Sequence, residues 1–210
     1  MPGPITHVVL ANRLLPRLAV APSSVAELLA GMVFPDIRYL GTVSRGATHR
    51  HGLSLSGVPD ESPFVAGMNL HSLIDEMSDR YFDAVGLPSL LPPSPHATQA
   101  FKLLADDILY DDFGTWTELC RSLETVRHPA GCPADDEEFR RWFGILGRYF
   151  THHPSAETRR ALMLDIGFNA DQAGAMEKLV VVLGRDEKIR HVIKGLSKDV
   201  AGISRPLTRT

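Results

Sequence analysis

The chain has 210 residues, with 22 Lys and Arg against 25 Asp and Glu, a formal charge of −3, 44% hydrophobic and 22% charged residues. That balance belongs to an ordinary globular protein. It excludes a disordered chain, which would be poorer in apolar residues and richer in net charge, and a strongly basic nucleic-acid binder.

Helical periodicity runs through the sequence and strand signals are scarce. The spacing predicts a first helix over 4–18, with Pro4 in its first turn and Val8, Ala11, Leu15 and Leu18 as its inward stripe. A second helix spans about 24–33, capped by Ser24 with Glu27 three residues on, and stopped by Pro35. The glycines, Ser and Thr of 36–60 read as one long loop, a length that usually carries function. A third helix follows over 62–85, ended by Gly86 and Pro88, and the stretch 88–95 reads as a stiff connector. Further helices are expected at 96–110, 114–127, 135–151, 155–166, 170–184 and 186–200. The expectation is an all-α fold, one domain of about eight or nine helices over 1–201, with 202–210 as a C-terminal tail.

The third helix carries the most chemistry. Phe64, Met68, His71, Asp75, Ser78 and Phe82 share one face at spacings of three and four, so a His and an Asp lie in the middle of an inward stripe. A buried carboxylate needs a compensating partner. His71 and Asp75 either bond each other or a nearby Arg, or both point at a metal ion. His7 lies beside the apolar stripe of the first helix, Asp36 follows Phe34-Pro35, and His49 and His51 flank Arg50 in the loop. Each alone has an ordinary reading as a core histidine, a turn aspartate or a solvated loop residue. Together they form a donor set of the kind zinc takes. His96, His128, His152, His153 and His191 read as surface residues.

The segments PITHVVLANRLL, GMVFPDIRYL, THR around His49 and FVAGMNLHSLIDEMSD, covering about residues 2–85, resemble the short bacterial members of the zinc-dependent phospholipase C family, whose helical fold is shared with fungal single-strand nucleases. The resemblance implies a first zinc on Asp36, His49, His71 and Asp75, with His51 as the alternative to His49. It implies a second zinc on His7 and Asp75, joined by the Pro2 amine if Met1 is removed. The family's remaining zinc uses a histidine where this chain has Tyr81, and a later His with a carboxylate four residues on, for which only His153 and Glu157 are present. One or two Zn²⁺ ions are therefore expected rather than three.

These readings predict a zinc-dependent hydrolase, with phosphate esters as the expected substrate class and Asp36 as candidate general base. Arg38 and Arg50 lie near the expected ligands in sequence and could bind an anionic oxygen, although surface charge explains them more simply. The partner expected is a small-molecule substrate, with neither nucleic acid nor membrane. A metal-dependent lyase or cyclase on a small molecule is one alternative, since ligands do not fix the reaction. A non-catalytic helical binding protein is another. The aromatics Trp142, Phe143, Tyr149 and Phe150 of 135–151 suit a core-facing helix better than a membrane surface. The N-terminal stretch lacks a basic region followed by an unbroken apolar run, and the two cysteines, Cys120 and Cys132, form no CxxC; a reducing cytoplasm is the expected compartment.

Overall fold

The computed structural model describes residues 2–202 apart from Ala19, Glu61, Ala130 and Gly131; the tail expected from 203 onward lies outside the described residues. Among these residues every regular element is helical: α1 (Pro4–Leu14), α2 (Val25–Val33), α3 (Arg45–Thr48), α4 (Pro63–Ala84), α5 (Leu87–Leu90), α6 (Ala97–Leu109), α7 (Trp116–Thr125), α8 (Asp136–Phe150), α9 (Ala156–Asp165), α10 (Ala170–Gly184) and α11 (Glu187–Gly202). None of the helices is long and apolar enough to cross a membrane.

The nine helices read from the periodicity are all present. The count rises to eleven because α3 and α5 are single turns, too short to show a 3.6-residue repeat. The expected loop 36–60 contains α3 and two 3₁₀ segments, Pro35–Leu40 and Leu55–Asp60. The expected first helix stops early: α1 ends at Leu14 and continues as the 3₁₀ turn Leu15–Arg17. Pro16 has no N–H to donate, and its ring is incompatible with the preceding helical turn. The cap at Ser24 is not formed either. Its side chain makes no capping bond, because the 3₁₀ turn Pro22–Ser24 leads straight into α2 with Ser24 already helical. A capping box does start α8, where Asp135 and Glu138 bond each other's backbone N–H.

The long helix α4 is central. It packs on α2, and α1 and α11 also lie against it; α6 joins α1, α10 and α11, and α8 joins α7 and α9. One continuous buried cluster runs through all of them except the single turn α3. In α8, Phe139, Trp142, Phe143, Tyr149 and Phe150 are all buried, as the core-facing reading expects. Gly31 on α2 and Gly67 on α4 allow the closest approach. A Cβ on either would overlap backbone of the other helix, Phe64 carbonyl in one case and Leu28 carbonyl in the other. This contact brings the C-terminal half of α2 against the first turns of α4. Two of the end carbonyls, which have no partner inside a helix, are taken by side chains: Met32 O accepts from His71 Nδ1 (2.9 Å) and Val33 O accepts from Trp142 Nε1 (2.9 Å).

Candidate metal centre

His7, Asp36, His49, His71 and Asp75 come from α1, the 3₁₀ segment after α2, the residue after α3, and α4, and all five are buried. Asp75 is the hub. Its Oδ1 lies 3.2 Å from His7 Nε2, and its Oδ2 lies 3.5 Å from His49 Nε2 and 3.8 Å from His71 Nε2. The rings of His7 and His71 stack at 3.9 Å, and His49 meets His71 edge-on at 5.0 Å. Asp36 completes a second group, its carboxylate within 4.8 Å of the ring nitrogens of His7 and His71.

The opposite nitrogen of each ring is committed. His7 Nδ1 donates to Gly3 O (3.1 Å) and His71 Nδ1 to Met32 O. Thr48 Oγ1 gives its hydrogen to the Arg45 carbonyl and so accepts from His49 Nδ1 at 2.9 Å. Carbonyl oxygens only accept, so each Nδ1 carries a proton, and in its neutral form each ring turns a lone pair inward at Nε2. Burial pushes His71 down to about 3, and the neighbouring His7 adds to this, so the ring is neutral at any working pH.

Lone pairs therefore face a carboxylate. The three Nε2 atoms and Asp75 Oδ1 are buried without a hydrogen-bond partner, an arrangement that costs free energy unless a cation sits among them. The spacing fits one: two donors about 2.05 Å from a tetrahedral ion lie about 3.3 Å apart. The anchored Nδ1 atoms also provide the outer hydrogen bonds that orient histidine ligands.

His51 does not converge. Its side chain is 79% exposed and faces Glu76 at 3.3 Å. Of the two loop histidines, only His49 reaches Asp75. Tyr81 is engaged elsewhere, donating to Val192 O in α11 at 3.0 Å. His153 lies against Asp107 and Asp111, and Glu157 is exposed. Pro2 is buried in a cavity of about 20 Å³, one water in size, which Asp36 also lines. Met1 lies outside the described residues.

Lys102, Tyr39 and Asp106, all around the centre, escape a linear reading. Lys102, buried in α6, donates to Tyr39 Oη at 3.1 Å, and Arg38 donates to the same oxygen at 3.1 Å while its Nη2 lies 3.5 Å from Asp36. Burial pushes the Asp36 carboxyl up, but His71, His7 and Lys102 together bring it below its ordinary value. Asp106, fully buried in α6, caps α1 from another helix: Oδ1 accepts from Thr6 N and Thr6 Oγ1, both at 2.8 Å, and Oδ2 from Tyr149 Oη at 3.3 Å. Gly3 is the N-cap of α1, and a Cβ there would collide with the Asp106 carboxylate. Asp106 thus fixes the turn whose Gly3 carbonyl orients His7.

Burial raises the Asp106 carboxyl to about 6, against an ordinary value of 3.8, despite the bonds from Thr6 that oppose it. The folded chain then holds a proton that the unfolded chain releases. The associated stability is fully present below pH 3.8 and is lost as pH rises through about 6; its size is at most on the order of 3 kcal/mol. Asp106→Asn should cancel this dependence. Melting curves in EDTA should show the variant gaining several degrees on the wild type between pH 4.5 and pH 7. A constant difference across that range would refute the assignment.

Comparison of the chain with family models, with curated proteins and with solved structures finds no match.

Proposed function

We propose that this protein is a zinc-dependent hydrolase acting on phosphate esters, in line with its sequence resemblance to the zinc-dependent phospholipase C family. The observation that carries the reading is the inward convergence of three partnerless Nε2 lone pairs on the Asp75 carboxylate at separations of 3.2–3.8 Å. A bound zinc ion would supply a water of lowered pKa and polarisation of a phosphoryl oxygen. The protein's own residues supply the rest. Two donor groups would hold the metal, His49 with His71 and Asp75, and His7 with Asp36 and His71, and Asp75 also faces His7. Asp36, ionised and backed by Lys102 and Arg38, is placed to accept a proton.

The substrate side is supported by a cleft of about 330 Å³ that ends on His49 and Asp75 and is lined by Arg45, Arg50 and Arg80. Guanidinium groups favour phosphoryl oxygens. The cavity beside Asp36, on the other side of the centre, is one water in size, so the cleft over α3 is the proposed entry for substrate.

Elemental analysis of protein purified without added metal should find about one to two zinc ions per chain, as the two donor groups allow. Hydrolysis of bis(p-nitrophenyl) phosphate should depend on that metal, and His71→Ala should lose both. A chain without stoichiometric metal, whose melting temperature ignores EDTA, would overturn the reading and leave the cluster as a device that joins helices. Bound zinc without turnover would move the reaction to the non-hydrolytic class.

A further inference from the structure

We propose that Arg45 changes partner with the occupancy of the centre: it is the counter-ion of Asp75 when no cation is bound, and it turns to a phosphoryl oxygen in the cleft once a cation takes that carboxylate. This rests on the metal reading above.

Arg45 and His49 are four residues apart across the single turn α3, so both side chains reach the same atom. His49 Nε2 lies 3.5 Å from Asp75 Oδ2, and Arg45 Nη2 donates to it at 3.3 Å. Their roles differ. The imidazole brings a lone pair, whereas the guanidinium brings hydrogens and a permanent positive charge. A buried carboxylate needs a positive partner, and Arg45, 3.3 Å from it, provides one. The same contact is unfavourable once a divalent ion sits on Oδ2, because two like charges would then share one oxygen at close range.

Arg45 has somewhere to go. Its side chain is 40% exposed, whereas Asp75 is 4% exposed, so the guanidinium stands at the boundary between the buried centre and the cleft. On the cleft wall Glu76 accepts from Gly52 N at 3.0 Å and faces His51, and Asp79 has a partner of its own. An oxyanion at the cleft floor would meet the ion on one side and the two-pronged guanidinium on the other, a geometry that suits a phosphoryl group. Cation and oxyanion then tighten each other's binding by the same factor. Arg45 favours the empty state without the oxyanion and the filled state with it.

The test uses inorganic phosphate as probe, with the zinc affinity and phosphate affinity of the full chain measured by calorimetry before and after EDTA treatment. Zinc-loaded wild type should bind phosphate at least about tenfold more tightly than metal-free protein, and Arg45→Met should lose about tenfold of that affinity, the worth of a charge-assisted bond. Arg45→Met should also bind zinc several-fold more tightly than wild type in the absence of phosphate, which a merely structural role would not produce. Arg45→Lys, which keeps the charge and loses the fork, should bind zinc like wild type and phosphate several-fold more weakly. Wild-type phosphate affinity in Arg45→Met, or zinc binding no tighter than wild type in that variant, overturns the proposal while leaving the metal reading in place. A wild-type chain that takes up no zinc overturns both. Independently of any variant, millimolar phosphate should raise the zinc affinity of wild type, and its failure to do so also overturns the proposal.

Discussion

If the protein is the zinc hydrolase proposed above, Asp75→Asn is expected to strip the chain of its cation and with it all hydrolytic activity. Asp75 is the one residue whose two oxygens face all three histidines, His7 from Oδ1 and His49 and His71 from Oδ2. Asparagine keeps the shape but removes the negative charge, and its amide nitrogen would present hydrogens to lone pairs that a cation otherwise requires. Removing an outer hydrogen-bond partner of a ligand costs about 10–100-fold in metal affinity; removing a charged ligand that joins the whole set should cost more. The metal-free variant should nevertheless fold, since the amide can bond an imidazole nitrogen. Zinc content by elemental analysis and a melting curve in EDTA give the two readouts. Retention of stoichiometric zinc in Asp75→Asn would show that the histidines converge for some other reason.

The second large effect is expected far from any ligand. Gly67→Ala should destabilise the protein by about 3 kcal/mol or more, a fall of roughly 6–12 °C in melting temperature for a chain of this size. The added Cβ would overlap the Leu28 carbonyl and the Met32 nitrogen of α2. Backbone atoms cannot rotate aside as a side chain can, so the helices would have to separate. Separation lengthens the 2.9 Å bond from His71 to Met32 O, and the ring loses the contact that turns its Nε2 inward. Zinc affinity should fall along with stability. Gly46→Ala is the control: a Cβ there meets nothing within 4 Å and the residue lies in α3, so the change should stay within about 0.5 kcal/mol. Equal melting temperatures for Gly67→Ala and wild type would refute the close-packing account.

The sequence by itself determined the helical class and half of the centre. Nine helices could be read because apolar residues recur every three or four positions, and an amphipathic helix must bury that stripe. The pairing of His71 with Asp75 was legible for the same reason, since residues four apart share a face whatever the rest of the chain does. His7, Asp36 and His49 could be named as chemical types, because zinc takes imidazole and carboxylate. Their meeting point could not be read, nor could the choice of His49 over His51, because two loop residues two apart differ only in which way the turn α3 directs them. Arg45 carried no signal beyond a positive charge. Asp106 lies 100 residues from the Thr6 it caps, and no local pattern encodes a cap supplied by another helix. Gly31 and Gly67 look like weak points in two helices until the helices are set against each other. Helix periodicity is a property of neighbours in the chain, whereas the cluster exists only because packing brings side chains from separate segments to within 3.2–3.8 Å of Asp75.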